Sequence, residues 1–260
     1  MESTEESKKI LNTAIFAGEL LLENGAEIFR VTDTIYRILE SYGITDGRVY
    51  VISNGIFVTI GEATNNNYGA IRDVTPAVVR LDMIIKVNAV SRLICESKCP
   101  ADEAMRLLKE CTHVKKDNVP FMSFACGMGS GAFCYILGAS MTECAAAAVL
   151  GVLLQLFMMF ASGKKISYFF SCILGSALVT IGSAAAVKFG LNGSFNMIVI
   201  GSVISLFPGV VFTTSIRELF NANYVSGIIH LMIAIMTAVC IASGVGAALV
   251  VINWMGGVVI

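Results

Sequence analysis

Residues 115–138 read KKDNVPFMSFACGMGSGAFCYILG, and the change of character inside this stretch decides the fold. Up to Asp117 the chain is dense in charge; from Asn118 it runs into an apolar, glycine-rich segment. Of 18 basic and 19 acidic residues, only Glu143, Lys164, Lys165, Lys188, Arg217 and Glu218 lie beyond Asp117. Such a split implies two solvents for one chain, water for residues 1–117 and lipid for residues 118–260. The whole-chain values agree. The chain is 56% apolar and 14% charged with a mean hydropathy of +0.77, against about 45–50% and about 25% in soluble domains. A net charge of −1 gives no reason to expect a nucleic-acid partner, and with four prolines and no biased tract extended disorder is not expected.

Downstream of the boundary, five apolar stretches fall near 119–138, 143–162, 166–187, 195–214 and 224–252. Each is close to the roughly 20 residues that cross about 30 Å of hydrocarbon. With the N-terminal part inside, Lys115, Lys116, Lys164, Lys165 and Arg217 all flank the cytoplasmic side and only Lys188 lies outside. The positive-inside rule therefore favours a cytoplasmic N-terminus and an external C-terminus. Gly127, Gly129, Ser130 and Gly131, then Ala145 to Ala148 and Gly151, then Gly175, Ser176, Gly182 and Ser183 supply the small residues that let helices approach closely in lipid. A packed bundle is expected, not five independent anchors.

Upstream, the N-terminus is acidic and lacks the pattern of a secretory signal peptide. Ile10, Leu11, Ala14, Ile15, Gly18, Leu21 and Leu22 recur at three and four, predicting an amphipathic helix over about 4–24. Ser3 and Glu6 are spaced as a capping box, and Asn24-Gly25 is the stop. A second helix over about 26–42 aligns Ile28, Val31, Ile35, Ile38, Leu39 and Tyr42, and Gly43 ends it. The period then shortens. Arg48–Ser53 and Ile56–Ile60 read as strands, with Asn54-Gly55 between them as a type I′ hairpin turn. The turn Asn65-Asn66-Asn67 leads to a third strand over about 68–74. After Pro76 a helix carries Leu81, Ile84, Ile85, Asn88 and Arg92 along one stripe, and a shorter helix starts at Pro100. The order ααβββαα makes a small cytoplasmic α+β domain ahead of a five-helix transmembrane bundle.

Enzyme signals are sparse. His113 and His230 are the only histidines, no Gly-x4-Gly-Lys-Ser/Thr loop occurs, and no Cys-x2-Cys pair is found among eight cysteines. Neither a metal site, a cofactor nor a catalytic residue is expected. Gly127-Met-Gly-Ser-Gly131 follows no strand, so helix packing explains it better than phosphate binding. Pro208-Gly209 interrupts the fourth span, as in transporters whose broken helices turn backbone dipoles toward substrate. Gln155 lies near mid-depth in the second span, and Ser130 in the first. His230 stands in the first two turns of the fifth span. Ser130, Gln155, Pro208, Gly209 and His230 are the candidates for the substrate path. Glu143 begins the second span as a solvated helix-start carboxylate; with His230 it is the titratable group nearest the spans. Glu27, Arg30 and Asp33, three apart on one helix, form either an exposed ion-pair ladder or, with Arg217 and Glu218, a gating or domain contact.

These residues also carry a resemblance. Gly25-Ala-Glu-Ile-Phe-Arg-Val-Thr-Asp-Thr-Ile35 resembles the signature of the bacterial threonine/serine exporter family. Asn54–Val58, Val87-Asn88 with Ser91-Arg92, Phe207-Pro-Gly209 with Ile216-Arg-Glu-Leu219, and Ser226-Gly227 match further family segments. Glu218 stands where the family has aspartate, and Asn221 and Asn223 replace its glycine and acidic residue. The resemblance implies export of threonine and serine across the inner membrane by a cytoplasmic domain and a five-span unit. The length is similar to that of split members, which work with a smaller hydrophobic partner subunit; self-association is the alternative. Succinate export by one split pair makes dicarboxylate export the second reading, and a membrane-anchored sensor or scaffold the third.

Overall fold

The spacing of apolar residues produces α1 (Glu2–Glu23) and α2 (Ile28–Ser41) close to their expected bounds. The computed structural model describes residues 2–61, 67–75, 79–97, 99–112, 118–191 and 193–254. The Ser3 side chain, Asn65, Asn66, Pro76, His113, Lys115 and Lys116 lie outside the described residues. Three strands, β1 (Arg48–Ile52), β2 (Gly55–Ile60) and β3 (Tyr68–Asp73), form an antiparallel sheet in that order. Two helices follow, α3 (Leu81–Ser97) and α4 (Ala101–Cys111), the latter with Pro100 at its N-cap.

Together with Thr214–His230, residues 1–115 make the first of two compact units. Its core is built of large aliphatic side chains: Ile15 and Leu21 from α1, Ile35, Ile38 and Leu39 from α2, Ile56 and Ile60 from β2, Ile94 and Leu108 from the last two helices. Gly18 lets α1 close on this layer, since a Cβ there would stand 2.5 Å from the Ile35 side chain. On the outer face of the sheet, Tyr50, Phe57 and Ile71 stand opposite one another in one cross-strand row and are exposed.

Two expectations for this unit are corrected. Ile52 pairs with Gly55, so the hairpin turn is Ser53-Asn54. Neither Asn54 nor Gly55 takes the positive φ that a type I′ turn needs. The register is set by the inward alternation of Val51, Ile56, Val58 and Ile60, because a slip of one residue would turn them all outward. The Asn54 carbonyl is then held by the Val74 N–H at 2.9 Å. On α3 the buried face is Met83, Val87, Ser91 and Ile94, while Leu81, Ile85 and Arg92 point outward. The helix is apolar on two sides, and the side meeting α1, α2 and α4 is the one without Leu81.

The second unit takes in residues 116–213 and 231–260. It contains α5 (Val119–Ile136), α6 (Met141–Gly163), α7 (Tyr168–Lys188) and α8 (Phe195–Val203), whose end tightens into a 3-10 turn over Ile204–Leu206. Then come α9 (Gly209–Phe220) and α10 (Tyr224–Trp254). Four helices, α5, α6, α7 and α10, are long and apolar enough to cross a membrane. The count becomes five if α8 and α9, bent by 56° across Phe207-Pro208, form one broken span. At 31 residues α10 is about 46 Å long at ~1.5 Å per residue, well beyond the hydrocarbon thickness of about 30 Å. Its first two turns belong to the first unit.

Helix α6 is the hub, packing on α5, α7 and α8. Small residues make this possible. A Cβ at Gly127 would lie 2.8 Å from the Ala148 carbonyl, and one at Gly151 would collide with the Ser130 hydroxyl. Most large apolar side chains, such as Phe121, Phe124, Val149, Phe160 and Phe170, point outward. Buried hydroxyls return to carbonyls of their own helices, as Thr180 does to Ser176 (2.8 Å) and Ser202 to Ile198 (2.7 Å). Glu143 is not solvated, as its position at a helix start had suggested. It is buried, and closes a capping box by accepting from the Ser140 N–H (2.5 Å) and hydroxyl (2.7 Å) through one oxygen and from the Ser194 N–H through the other. The chain returning at Ser194 covers the carboxylate.

Candidate functional site

In the first unit, the start of α2 and the segment Thr214–His230 come together. Helix α1 stops at Asn24-Gly25, where Gly25 takes a φ of +79° and the Ala26 N–H reaches back to the Leu21 carbonyl at 2.9 Å. Glu27 follows as the N-cap of α2, with extended backbone, but its side chain makes no capping bond. It turns instead to Arg217 on α9, forming an ion pair across 190 residues of sequence. Arg30, one turn along α2, has its Nε 3.9 Å from the second Glu27 oxygen and lies over the Phe29 ring. Among the described residues that oxygen is buried without a hydrogen-bond partner.

The segment is shaped by its own turn. After Phe220 the chain reverses through Ala222, a non-glycine residue at φ +61°, and the Asn223 N–H returns to the Glu218 carbonyl at 2.9 Å. Gly227 admits Leu219 so closely that a Cβ would meet its side chain at 2.8 Å, which brings the start of α10 onto the end of α9. The Ser226 hydroxyl accepts the Ser53 N–H at 3.0 Å, tying the segment to the hairpin turn. Glu218 is 3% exposed, and its Oε2 lies 2.8 Å from His230 Nδ1.

Glu27, Arg217 and, at longer range, Arg30 therefore meet, while Glu218 and His230 make a neighbouring pair on the same segment. Asp33 does not join them; it pairs with Arg37 along the exposed side of α2 at 2.9 Å. Ser53 and Ser226 were not foreseen as contacts, and nothing in their sequence neighbourhood marks a hydroxyl that binds a backbone amide so far away. In the second unit, Ser130 is wedged against Gly151 in the α5–α6 seam, with its hydroxyl unpartnered among the described residues. Gln155 is half-buried one turn further along α6. Pro208 and Gly209 sit at the break between α8 and α9, where the Gly209 N–H bonds back to the Phe207 carbonyl at 2.8 Å. Among the described residues no group of three or more His, Cys, Asp or Glu side chains is placed to hold a metal ion.

The two motifs joined by the Glu27–Arg217 pair both lie within a match to the ThrE family model, described as "putative threonine/serine exporter", over residues 12–252. The chain belongs to the threonine/serine exporter family. Searches of curated proteins and of solved structures return no match. Membership of an amino-acid exporter family is membership of a transporter family, not of an enzyme family. With four or five apolar helices it supports a multi-pass protein of the inner membrane. In this exporter family member, the signature around Glu27 and the segment around Glu218 are two sides of one contact.

Proposed function

We propose that the chain is one subunit of a secondary exporter of small amino acids, threonine and serine, in the bacterial inner membrane. Residues 1–117 act as a cytoplasmic domain, residues 118–260 as the bundle, with the N-terminus inside and the C-terminus outside. A smaller hydrophobic partner subunit or a second copy completes the transport unit. The observation that carries this reading is the ion pair of Glu27 with Arg217. It supports placing the end of the broken fourth span on the same side as the N-terminal domain, as the basic flanks also require. Arg217 stands nine positions after Pro208, on α9. We read Thr214–His230 as a gate, closed by Glu27–Arg217 and Ser53–Ser226. The path runs by Pro208-Gly209, with Gln155 and Ser130 as its polar neighbours on α6 and α5.

Threonine and serine efflux from dipeptide-loaded cells, with and without this gene and its neighbour, tests the reading. Loss of efflux on deletion, restored by the wild-type gene but only weakly by Arg217→Glu, is expected. Unchanged efflux of both amino acids rejects the substrate assignment. A deletion that instead retains succinate in the cell favours dicarboxylate export, and normal efflux of every solute tested leaves only a sensor or scaffold.

A further inference from the structure

Two other carboxylates of this molecule are satisfied at both oxygens. Glu143 has one on Ser140 and the other on Ser194; Glu103 holds Arg106 with both. Glu218 differs. It is among the most buried charged side chains described, one oxygen touches only His230 Nδ1, and the other is buried with no hydrogen-bond partner among the described residues. The charges around it are already engaged. Arg217, the preceding residue on α9, is on Glu27, and Arg30 on α2 faces Glu27 as well. Tyr224, at the start of α10, is exposed, and the hairpin offers the Ser53 N–H, already held by Ser226.

A buried carboxylate beside an imidazole is charge-balanced when the two share one proton, as imidazolium and carboxylate. Loss of that proton from the imidazolium to water leaves neutral His230 and an uncompensated anion with one oxygen bare. Such a group is expensive unless water reaches it. We propose, resting on the gate reading of Thr214–His230, that Glu218 and His230 form a proton-binding site of this exporter, and that the site empties only when the segment opens. With the proton bound the segment stays closed on the first unit; as pH rises and the proton leaves, Glu218 needs solvent and the closed arrangement weakens. The linkage is reciprocal: whatever opens the segment also releases the proton.

The test is hydrogen exchange of residues 214–230 in the full-length chain in lipid nanodiscs, expressed as protection factors so that the intrinsic pH dependence of exchange is removed. Wild-type protection is expected to fall by about tenfold or more between a pH of about 6 and about 8.5, the range in which histidine switches matter. In Glu218→Gln and in His230→Gln the fall should shrink to less than about twofold, the proton linkage being gone. A wild-type profile that is flat over this range overturns the proposal, as does a fall retained in both variants. If both variants lose protection at every pH, the wild-type slope decides: one proton per opening supports the site, and zero removes it. Exchange is read without transport, so failure here is distinguishable from failure of the efflux test.

Discussion

The first unit is held by large side chains meeting in its centre; the second is held by the absence of side chains. Ile15, Leu21, Ile35, Ile38 and Leu39 are fully buried in the first, where removing apolar surface from water drives folding. In the second, Gly127, Gly131 and Gly151 let backbones touch, while phenylalanines and valines face outward. Lipid is as apolar as they are, so burying them gains little and close packing carries the association. The two units should therefore fail in opposite ways, one when atoms are removed and the other when atoms are added.

The largest effect is expected from Ile35→Ala, which empties the centre of the first unit and costs about 2–5 kcal/mol. Hydrogen exchange should speed up in α1, α2 and the strands, and stay unchanged in α5 to α8. Equal loss in both units would show that they melt together. The mirror experiment is Gly127→Val. The Ala148 carbonyl cannot move aside as a side-chain tip can, and overpacking typically costs about 1–3 kcal/mol. Its signature is faster exchange along α5 and α6 with the first unit intact.

A smaller effect sharpens the comparison by pH. Burial, with Cys99 and Cys95 adding to it, pushes the Tyr42 hydroxyl up to about 12, and that hydroxyl donates to the Cys99 carbonyl. The unfolded chain gives up this proton near the ordinary tyrosine value of about 10. Its contribution is therefore complete below about pH 10 and is lost as pH rises toward the folded value. Tyr42→Phe should flatten that part of the stability profile while costing about 1 kcal/mol at neutral pH through the missing hydrogen bond. Thermal melts from pH 8 to pH 11 on both proteins measure it. The smallest change is a gain. Ala222 holds a φ of +61°, where a Cβ is crowded, and Ala222→Gly should raise stability by under about 1 kcal/mol. A melt that drops would mean that the Ala222 methyl does more than crowd the turn.

What the sequence made legible follows the same division. Periodicity alone located α1 and α2 and most of their buried faces, because each has one apolar stripe and a polar back. The charge census located the apolar helices for the same kind of reason, and Pro208-Gly209 marked the break in the fourth. Short-range rules failed where tertiary contacts decide. The Asn54-Gly55 pair looks like a turn by itself, yet the inward-facing residues of the strands moved the turn back to Ser53-Asn54. Glu143 looked like a surface carboxylate because the sequence does not show that Ser194 folds over it. Glu27 and Arg217 were each noticeable, but their pairing spans almost the whole chain, and no local pattern encodes it. The bare oxygen of Glu218 was invisible for the same reason, being a property of the packed neighbourhood and not of the residue.

The exposed row of Tyr50, Phe57 and Ile71 bears on how the N-terminal residues can be handled. A fragment ending near Asp117 would keep this exposed greasy strip and also lose Arg217 and Ser226, leaving Glu27 and the hairpin amide without their mates. Such a fragment should clump in the tube. Grafting residues 214–230 back through a short tether is the remedy the architecture recommends.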